Sequence, residues 1–216
     1  MTFSSSISSK KNSYWNGYYK KTNVVSKPSD FAKFVLKKIK KTKGLLIDIG
    51  CGNGRDTFFF IKNKIHTLGC DHSLTVIKKN NKIKKVFSKI NFCKKNVKFK
   101  KKINLFYARF FIHAITLKEE EIFFNNLKKN TGSSCQIYLE FRTDKDPLML
   151  KGKYLSKYER LTDHYRRFIN VDSFVKRMKK LKMNILFLKT SNKFAVFKKD
   201  KPHICRVILS YKKNSS

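Results

Sequence analysis

The segment at residues 45–56 constrains the fold of this chain more than any other, because a short apolar run there ends in an acid and a turn of alternating glycines. The apolar run at residues 45–49 predicts a buried parallel strand, and residues 56–61 predict the opening of a helix. Glycines at a strand-to-helix turn let the backbone approach a ligand closely, and a helix N-terminus favours electron-rich groups. The segment therefore predicts a ligand site at this turn of an α/β protein.

The spacing of the glycines excludes two common phosphate-binding loops. A dinucleotide fingerprint requires a third glycine where this chain has Arg55, and a Walker loop requires lysine and then serine or threonine after Gly54. The remaining pattern, Asp48-x-Gly50-x-Gly52-x-Gly54, closely resembles motif I of the class I S-adenosylmethionine-dependent methyltransferases. The resemblance implies that S-adenosyl-L-methionine is the cofactor, with the glycines against its methionine half and Asp48 at its amino end. An ordinary glycine-rich turn is the alternative.

An acid at the end of the predicted second strand makes the cofactor prediction more specific. Residues 65–71 predict this strand, and Asp71 ends it about twenty positions after the first glycine of the turn. An acid at that place is positioned to accept both hydroxyl groups of an adenosine ribose. Alternatively, Asp71 caps the helix that begins near Ser73.

The predicted third strand, residues 90–93, is followed by a departure from the family pattern. Many class I methyltransferases have an acid just after this strand, where it binds the adenine amino group. This chain offers Asn96 instead. The resemblance implies that the amide oxygen of Asn96 accepts that hydrogen bond.

Residues 103–115 predict a buried fourth strand that runs into a short turn and helix. No Asn/Asp-Pro-Pro-Tyr/Phe sequence follows it, which argues against the amino-methylating DNA and glutamine enzymes. No cysteine is preceded by proline, so a covalent mechanism at pyrimidine C5 has no visible nucleophile. Tyr107, with Tyr14 and Trp15, is a candidate for ring contacts to a sulfonium, and core packing is the alternative.

The resemblance implies one α/β domain of the Rossmann-like class I methyltransferase type over residues 14–216. We expect a mostly parallel seven-stranded sheet with one antiparallel strand and with helices on both faces. Residues 1–13 predict a disordered tail, and residues 144–170 predict a long irregular insertion that binds substrate. The other predicted elements are helices that begin at Ser29 or Asp30 or span 56–63, 74–85, 118–129 and 171–182, and strands at 136–141, 185–189 and 204–211.

The composition limits the kinds of partner. The 216 residues carry a formal net charge of +37, which attracts anionic partners of any kind. The lysines are spread along the whole chain, as codon bias alone would produce, so nucleic-acid binding and a merely solvated surface both stay open. The five cysteines form no Cys-x-x-Cys pair and predict reduced core residues of a cytoplasmic protein, without a metal site. No apolar run is long enough to span a bilayer.

Acids and arginines stand out against this lysine background, and most gather in the second half of the chain. Guanidinium groups bind phosphate or carboxylate bidentately, so these arginines predict an anionic acceptor. Ion pairs with acids such as Glu140 and Asp163, which would only stiffen the insertion, are the alternative. The arginines concerned are Arg109, Arg142, Arg166 and Arg167.

A general base helps if the acceptor is a hydroxyl. His164 lies in a polar loop and is a better candidate than His113, which lies in an apolar run. Glu140 is a further candidate, and Arg109 completes the predicted catalytic set. The predicted substrate-binding residues are Tyr14, Trp15, Arg142, Tyr165, Arg166 and Arg167.

Further motifs resemble one bacterial subgroup of the methyltransferases. They are Tyr14-Trp15, Pro28-Ser29-x-Phe31-Ala32, Tyr107-x-Arg109-Phe110-Phe111-x-His113-Ala114-Ile115, Glu140-Phe141-Arg142 and Asp163-His164-Tyr165-Arg166-Arg167-Phe168. The subgroup comprises small methyltransferases encoded among capsule and surface-polysaccharide genes, including those linked to O-methyl phosphoramidate, and is loosely similar to the tellurite-resistance methyltransferases. The resemblance implies a small, anionic acceptor such as a sugar or a phosphorylated surface-polysaccharide precursor. An RNA methyltransferase that uses the lysine-rich surface and a non-catalytic binding protein are the alternatives.

Overall fold

The computed structural model describes residues 14–18, 27–39 and 44–213. The predicted tail, residues 1–13, lies outside these ranges. Residues 14–18 are helical. The longer helices are α1 (Asp30–Ile39), α2 (Arg55–Lys62), α3 (Leu74–Asn81), α4 (Leu117–Asn130) and α5 (Val171–Lys180). The strands are β1 (Leu46–Ile49), β2 (Thr67–Asp71), β3 (Phe87–Lys89), β4 (Ile103–Arg109), β5 (Thr131–Arg142), β6 (Lys153–Ser156), β7 (Glu159–Leu161), β8 (Tyr165–Arg167), β9 (Asn184–Ser191) and β10 (Ile204–Lys212).

Seven strands form the main sheet in the order β3-β2-β1-β4-β5-β10-β9. Strand β10 is antiparallel to both of its neighbours, β5 and β9, whereas β1 to β5 pair in parallel. This arrangement confirms the predicted sheet. The strand order reverses between β1 and β4, and in open α/β sheets ligands bind outside the carboxyl ends of the strands at such a point.

Each face of the sheet carries its own hydrophobic core. Successive residues of a strand point to opposite faces, so Leu105 of β4 belongs to one core and Phe106 to the other. Helices α4 and α5 pack in the larger core, and α1 and α2 pack in the smaller one. Because both faces are covered, the central strands are continuous apolar runs rather than alternating ones. Those runs are what made β1 and β4 visible in the sequence.

Helix α1 shows how a local signal sets an element boundary. The Ser29 Oγ accepts the backbone N–H of Ala32 at 3.0 Å, which caps the helix as predicted. Phe31, Val35 and Ile39 then recur on one face and are fully buried. The helix is thereby fixed against the sheet with its N-terminus near the carboxyl end of β4, where Ser29 Oγ lies 3.3 Å from the Tyr107 hydroxyl.

The third strand lies earlier in the chain than predicted. It is β3, and the predicted strand at residues 90–93 is wrong, because these residues form the turn that leaves β3. Phe92 is buried against the larger core without being part of a strand. The Asn91 side chain accepts the backbone N–H of Cys93 at 2.9 Å and so fixes the turn. An apolar run marks burial here, not a strand.

The insertion at residues 144–170 is more regular than predicted. It begins with a short 3-10 turn, Pro147–Leu150, and continues as a separate antiparallel sheet in the order β6-β7-β8. Strands of three or four residues show no detectable period, which is why the sequence predicted an irregular segment. The insertion leaves the main sheet at the end of β5 and returns at α5, so it stands at the carboxyl edge.

Candidate active site

A cavity of about 320 Å³ lies at the carboxyl edge of the main sheet, where the strand order reverses. Its volume is in the range of about 300–1,000 Å³ that small-molecule sites occupy. The predicted site residues that line it are Trp15, Asp48, Gly50, Gly52, Asp71, Tyr107 and Arg109. The predicted residues outside its lining are Tyr14, Gly54, Asn96, Glu140, Arg142, His164, Tyr165, Arg166 and Arg167.

The glycine turn brings bare backbone to the cavity at the end of β1. Gly50 has φ +69°, and a Cβ atom there would stand 2.7 Å from the Phe111 ring. A side chain at this position would therefore meet both backbone strain and a steric clash. Gly54 has φ +77° and faces Phe87 instead of the cavity. It shapes the turn into α2 and lies outside the cavity lining.

Asp71 is fixed at the end of β2 by two backbone groups. Its Oδ2 accepts the N–H of Gly52 at 3.1 Å, and its Oδ1 accepts the N–H of Ser73 at 2.9 Å. Each carboxylate oxygen has two lone pairs, so each can accept a further donor, and His72 Nδ1 already lies 3.4 Å from Oδ1. The Ser73 side chain, not Asp71, caps α3 by accepting the N–H of Val76. The carboxylate is thus oriented for a ligand with two adjacent hydroxyl groups.

The Asp48 carboxyl is buried near the end of β1, just before the glycine turn. Burial raises the pKa of Asp48 to about 8, and the negative charges of Asp56 and Asp71 add to the increase. The Thr57 hydroxyl donates a hydrogen bond to Asp48 Oδ2 at 2.6 Å. At neutral pH the carboxyl is therefore mostly uncharged until a cation approaches it.

A polar network beneath the cavity joins three elements of the fold. The Tyr107 hydroxyl on β4 and the Ser29 hydroxyl before α1 each donate to Asp56 Oδ2 at 2.7 Å. The Tyr107 ring stacks on Phe31 with centroids 5.1 Å apart. Tyr107 therefore packs in the core while it also lines the cavity. The two hydroxyl partners of Asp56, Ser29 and Tyr107, are distant from it in the chain.

The side of the cavity next to β3 is formed by residues that the sequence placed in a strand. Asn91 and Phe92 line it, as does His72 immediately after β2. Asn96 does not line the cavity, and its side-chain oxygen lies 3.5 Å from Lys129 Nζ. The predicted role of Asn96 depended on a third strand at residues 90–93. Because β3 ends at Lys89, Asn91 is the asparagine after this strand that lines the cavity.

Arg109 lines the cavity at the end of β4. Its Nε donates to Glu140 Oε1 at 2.8 Å, and its guanidinium carbon lies 4.1 Å from the Phe110 ring centroid. In the described part of the chain, the hydrogen bonds of Arg109 use Nε alone, so its two terminal nitrogens keep their donors. A guanidinium oriented in this way is suited to an anion inside the cavity.

Glu140 orients this arginine from below. The carboxylate is fully buried, and its second oxygen accepts Arg206 Nε at 2.7 Å. Both oxygens thus bind guanidinium groups, and the side chain lies outside the cavity lining. This arrangement favours a positioning role over the predicted role as a base.

The other predicted arginines form ion pairs, as the alternative interpretation held. Arg142 donates to both carboxylate oxygens of Asp146, at 3.0 and 2.9 Å. Arg167 binds Glu120 together with two backbone carbonyls, and Arg166 binds Asp163 at 2.9 Å. The hydroxyl of Tyr165, also predicted to bind substrate, donates to Glu159. These side chains organise the insertion and stand outside the cavity lining.

The helical segment 14–18 lies along the mouth of the cavity. Trp15 and Tyr18 line it, and the Ser73 hydroxyl donates to the Asn16 side chain at 2.5 Å. At the other side, the Tyr14 hydroxyl donates to Asp163 Oδ2 at 2.7 Å. The segment therefore joins the start of α3 to the insertion across the site.

His164 lies behind this segment. Its ring centroid is 4.6 Å from that of Tyr14 and 4.8 Å from that of Trp15. Burial, followed by the charge of Arg166, lowers the pKa of His164 to about 4. The imidazole is neutral at pH 7 and is a weak base separated from the cavity by Trp15. His113 is also buried, and its Nδ1 accepts the Arg142 backbone N–H at 3.1 Å, which is a structural role.

Other kinds of site are not evident in the described residues. The five cysteines are free thiols, and within residues 14–18, 27–39 and 44–213 no group of three or more His, Cys, Asp or Glu residues is arranged to hold a metal ion. None of the helices in those ranges combines the length and the hydropathy of a membrane span.

Comparisons with known proteins identify the fold. No family model and no curated protein matches the sequence. A methyltransferase structure from Methanosarcina mazei has a TM-score of 0.69 at 11% identity, covering 82% of this chain and 96% of that one. One from Clostridium acetobutylicum has a TM-score of 0.66 at 13% identity, with 93% and 96% covered. The glycopeptide N-methyltransferase MtfA in complex with S-adenosylmethionine has a TM-score of 0.64 at 12% identity, with 84% and 94% covered. The chain has the Rossmann-like fold of the S-adenosylmethionine-dependent methyltransferases.

Proposed function

We propose that this protein is an S-adenosylmethionine-dependent methyltransferase acting on a small anionic acceptor. The observation that carries the proposal is the cavity itself, in which Asp71 and the bare backbone of Gly50 meet at the ends of neighbouring strands. The residues fit the cofactor. Asp71 has acceptor positions for the ribose hydroxyls, and Asp48 lies where a cationic amino group restores its charge.

The cofactor, when bound, supplies a methyl group already activated on a sulfonium. The protein then has to hold an acceptor atom about 3 Å from that carbon and to keep water away. Trp15 and Tyr18 are the aromatic side chains at the mouth of the cavity. Their ring faces favour a neighbouring cation and cover the site. Phe110 also lines the cavity, but its ring already has the Arg109 guanidinium 4.1 Å from its centroid.

Arg109 supports an anionic acceptor. Of the four arginines predicted to bind one, it alone lines the cavity among the described residues. Its terminal nitrogens match two oxygens of a phosphate or a carboxylate. An anionic oxygen is already a nucleophile, so its methylation needs no base, which agrees with the position of His164 and Glu140 outside the cavity lining. A sugar phosphate or another phosphorylated precursor of a surface polysaccharide, as the resemblance implies, has this chemistry.

The test is methyl transfer from radiolabelled S-adenosylmethionine to sugar phosphates and their uncharged parent sugars. We expect Arg109→Gln to raise KM for the phosphorylated acceptor about tenfold or more, because a charge-assisted hydrogen bond contributes about 1.5–3 kcal/mol. Arg160→Gln is the matched control, since Arg160 stacks on Tyr154 in the insertion, away from the cavity.

Two results would contradict the proposal. One is an unchanged KM in Arg109→Gln. The other is methylation of RNA in preference to small acceptors, with activity that falls steeply as salt rises, which would favour an RNA methyltransferase that uses the lysine-rich surface.

A further inference from the structure

The large hydrophobic side chains that are most exposed lie on segments at the carboxyl edge of the sheet. Among the large hydrophobic residues of the described ranges, the three with the highest exposed fraction are Leu150 at 92%, Phe197 at 70% and Tyr154 at 65%. Val196, next to Phe197, is 48% exposed. We call these four residues the apolar rim.

Leu150 ends one turn and Phe197 lies on another. Tyr154 lies on β6, where Arg160 stacks on its ring and donates to the Met149 carbonyl of the first turn. Scattered exposed apolar residues are normal, but the most exposed ones here lie on linked segments, which needs a cause.

A buried arginine holds the two turns of the apolar rim against each other. Arg142 donates to Asp146, which caps the turn that ends at Leu150, and to Asp200 at 2.5 Å. Asp200 in turn exchanges two backbone hydrogen bonds with Phe197, at 3.0 and 2.9 Å. Leu150, Val196 and Phe197 are therefore carried by turns that share Arg142 as one anchor, and Tyr154 is held beside the first turn by Arg160.

The same turns carry exposed positive charge. The acids between them are engaged, because Asp146 and Asp200 bind Arg142 and Asp144 accepts a hydrogen bond from Asn170. No lysine in the described part of the chain takes part in these interactions of Asp144, Asp146 and Asp200. The exposed lysines on and beside the two turns are Lys145, Lys151, Lys153, Lys193, Lys198, Lys199 and Lys201.

We propose that the apolar rim docks on an anionic membrane surface. Its side chains would enter the boundary between head groups and acyl chains, while the lysines would contact lipid phosphates. Such a surface combines apolar burial with attraction to anionic lipid, which is what these two turns present. The proposal is independent of the proposed methyl transfer.

The composition of the apolar rim argues against a nucleic-acid surface. Single-stranded nucleic acids bind through aromatic faces on which bases stack. Leu150 and Val196 have no such face, and the Tyr154 ring is already covered by Arg160, whose guanidinium carbon is 4.7 Å from its centroid. Phe197 is the one remaining ring of the apolar rim, and Lys198 Nζ lies 5.7 Å from its centroid. Exposed aliphatic side chains next to lysines fit the boundary between lipid head groups and acyl chains better than they fit a nucleic acid.

The experiment is sedimentation of the full chain with sucrose-loaded vesicles. One set contains phosphatidylcholine alone, and the other mixes phosphatidylcholine with phosphatidylglycerol. The test variant is the double substitution Leu150→Ser with Phe197→Ser. The matched control is Leu186→Ser, because Leu186 is 56% exposed on β9 and lies outside the apolar rim. Thermal melts check that both variants fold, which we expect because only exposed side chains change.

We expect the wild-type chain to sediment with the phosphatidylglycerol vesicles and the double variant to lose at least about tenfold in partition coefficient, which corresponds to about 1.4 kcal/mol. Leu186→Ser should behave as wild type. The proposal is overturned if the wild-type chain stays in the supernatant, or if the double variant sediments as well as the wild type. It also fails if a single-stranded RNA oligonucleotide, and not the vesicles, loses affinity in the double variant.

Discussion

Release of the proton from Asp48 on ligand binding tests how the site binds a cofactor. Burial and the neighbouring acids raise the pKa of this carboxyl to about 8 in the ligand-free protein. If the cationic amino group of the cofactor binds beside Asp48, the carboxylate form is stabilised and the proton leaves. Cofactor binding should therefore release a proton from Asp48 at neutral pH.

The magnitude follows from the pKa. At pH 7, about one unit below it, about nine tenths of the ligand-free molecules carry a protonated Asp48, so binding should release about 0.9 proton. The association constant should rise close to tenfold per pH unit below pH 7, which is about 1.4 kcal/mol, and level off above the pKa of about 8.

Isothermal titration with S-adenosylhomocysteine in buffers of different ionisation enthalpy measures the released proton directly. Asp48→Asn keeps an acceptor for the Thr57 hydroxyl but has no proton to release, and Asp172→Asn, on the exposed side of α5, is the control. Equal proton release by wild type and Asp48→Asn would refute the reasoning.

The same carboxyl also affects stability without ligand. Because the folded pKa of Asp48 lies above its ordinary value of 3.8, the folded state holds a proton that the unfolded state gives up. This contribution to stability is complete below pH 4 and is lost as pH rises through about 8. The melting temperature of the ligand-free wild type should therefore fall between pH 5 and pH 8 more than that of Asp48→Asn.

Two further predictions concern the frame of the site. Gly50→Ala should lower the free energy of unfolding by about 1–3 kcal/mol in urea denaturation, because its backbone has φ +69° and its Cβ would meet Phe111 at 2.7 Å; a loss below about 0.5 kcal/mol would contradict the geometry. Glu140→Ala should lower the free energy of unfolding by about 3–5 kcal/mol. The substitution leaves the guanidinium groups of Arg109 and Arg206 without their shared carboxylate. A stability equal to that of wild type would show that water replaces the ion pairs.

Local patterns were enough to predict the central part of the fold. The apolar run before Gly50 and the acid at Asp71 each mark a strand end, and parallel strands bring such ends to one edge. The position of the cavity at that edge therefore follows from short segments, whereas the strand order was not predicted. The N-terminal cap of α1 at Ser29 was visible for the same reason, since a cap and an apolar face lie within a few residues of each other.

Long-range pairing was beyond the sequence patterns. Arg167, near the end of the insertion, pairs with Glu120 on α4, which precedes the insertion in the chain. No local sequence pattern marks the two residues as a pair. The third strand was misplaced because Ile90 and Phe92 are apolar for reasons of packing, and Asn96 was assigned from that error. The short strands of the insertion have too few residues to show a period.

The central claim is that the cavity at the ends of β1 and β2 binds an adenosyl cofactor through Asp71. Calorimetry with S-adenosylhomocysteine tests it on the wild type, Asp71→Ala and the milder Asp71→Asn, with Asp30→Ala as an exposed control. The account predicts that wild type and control bind, that Asp71→Ala gives no measurable binding, and that Asp71→Asn binds at least about tenfold more weakly, while all four melt cooperatively. Unchanged affinity in Asp71→Ala, or no binding by the folded wild type, would contradict it.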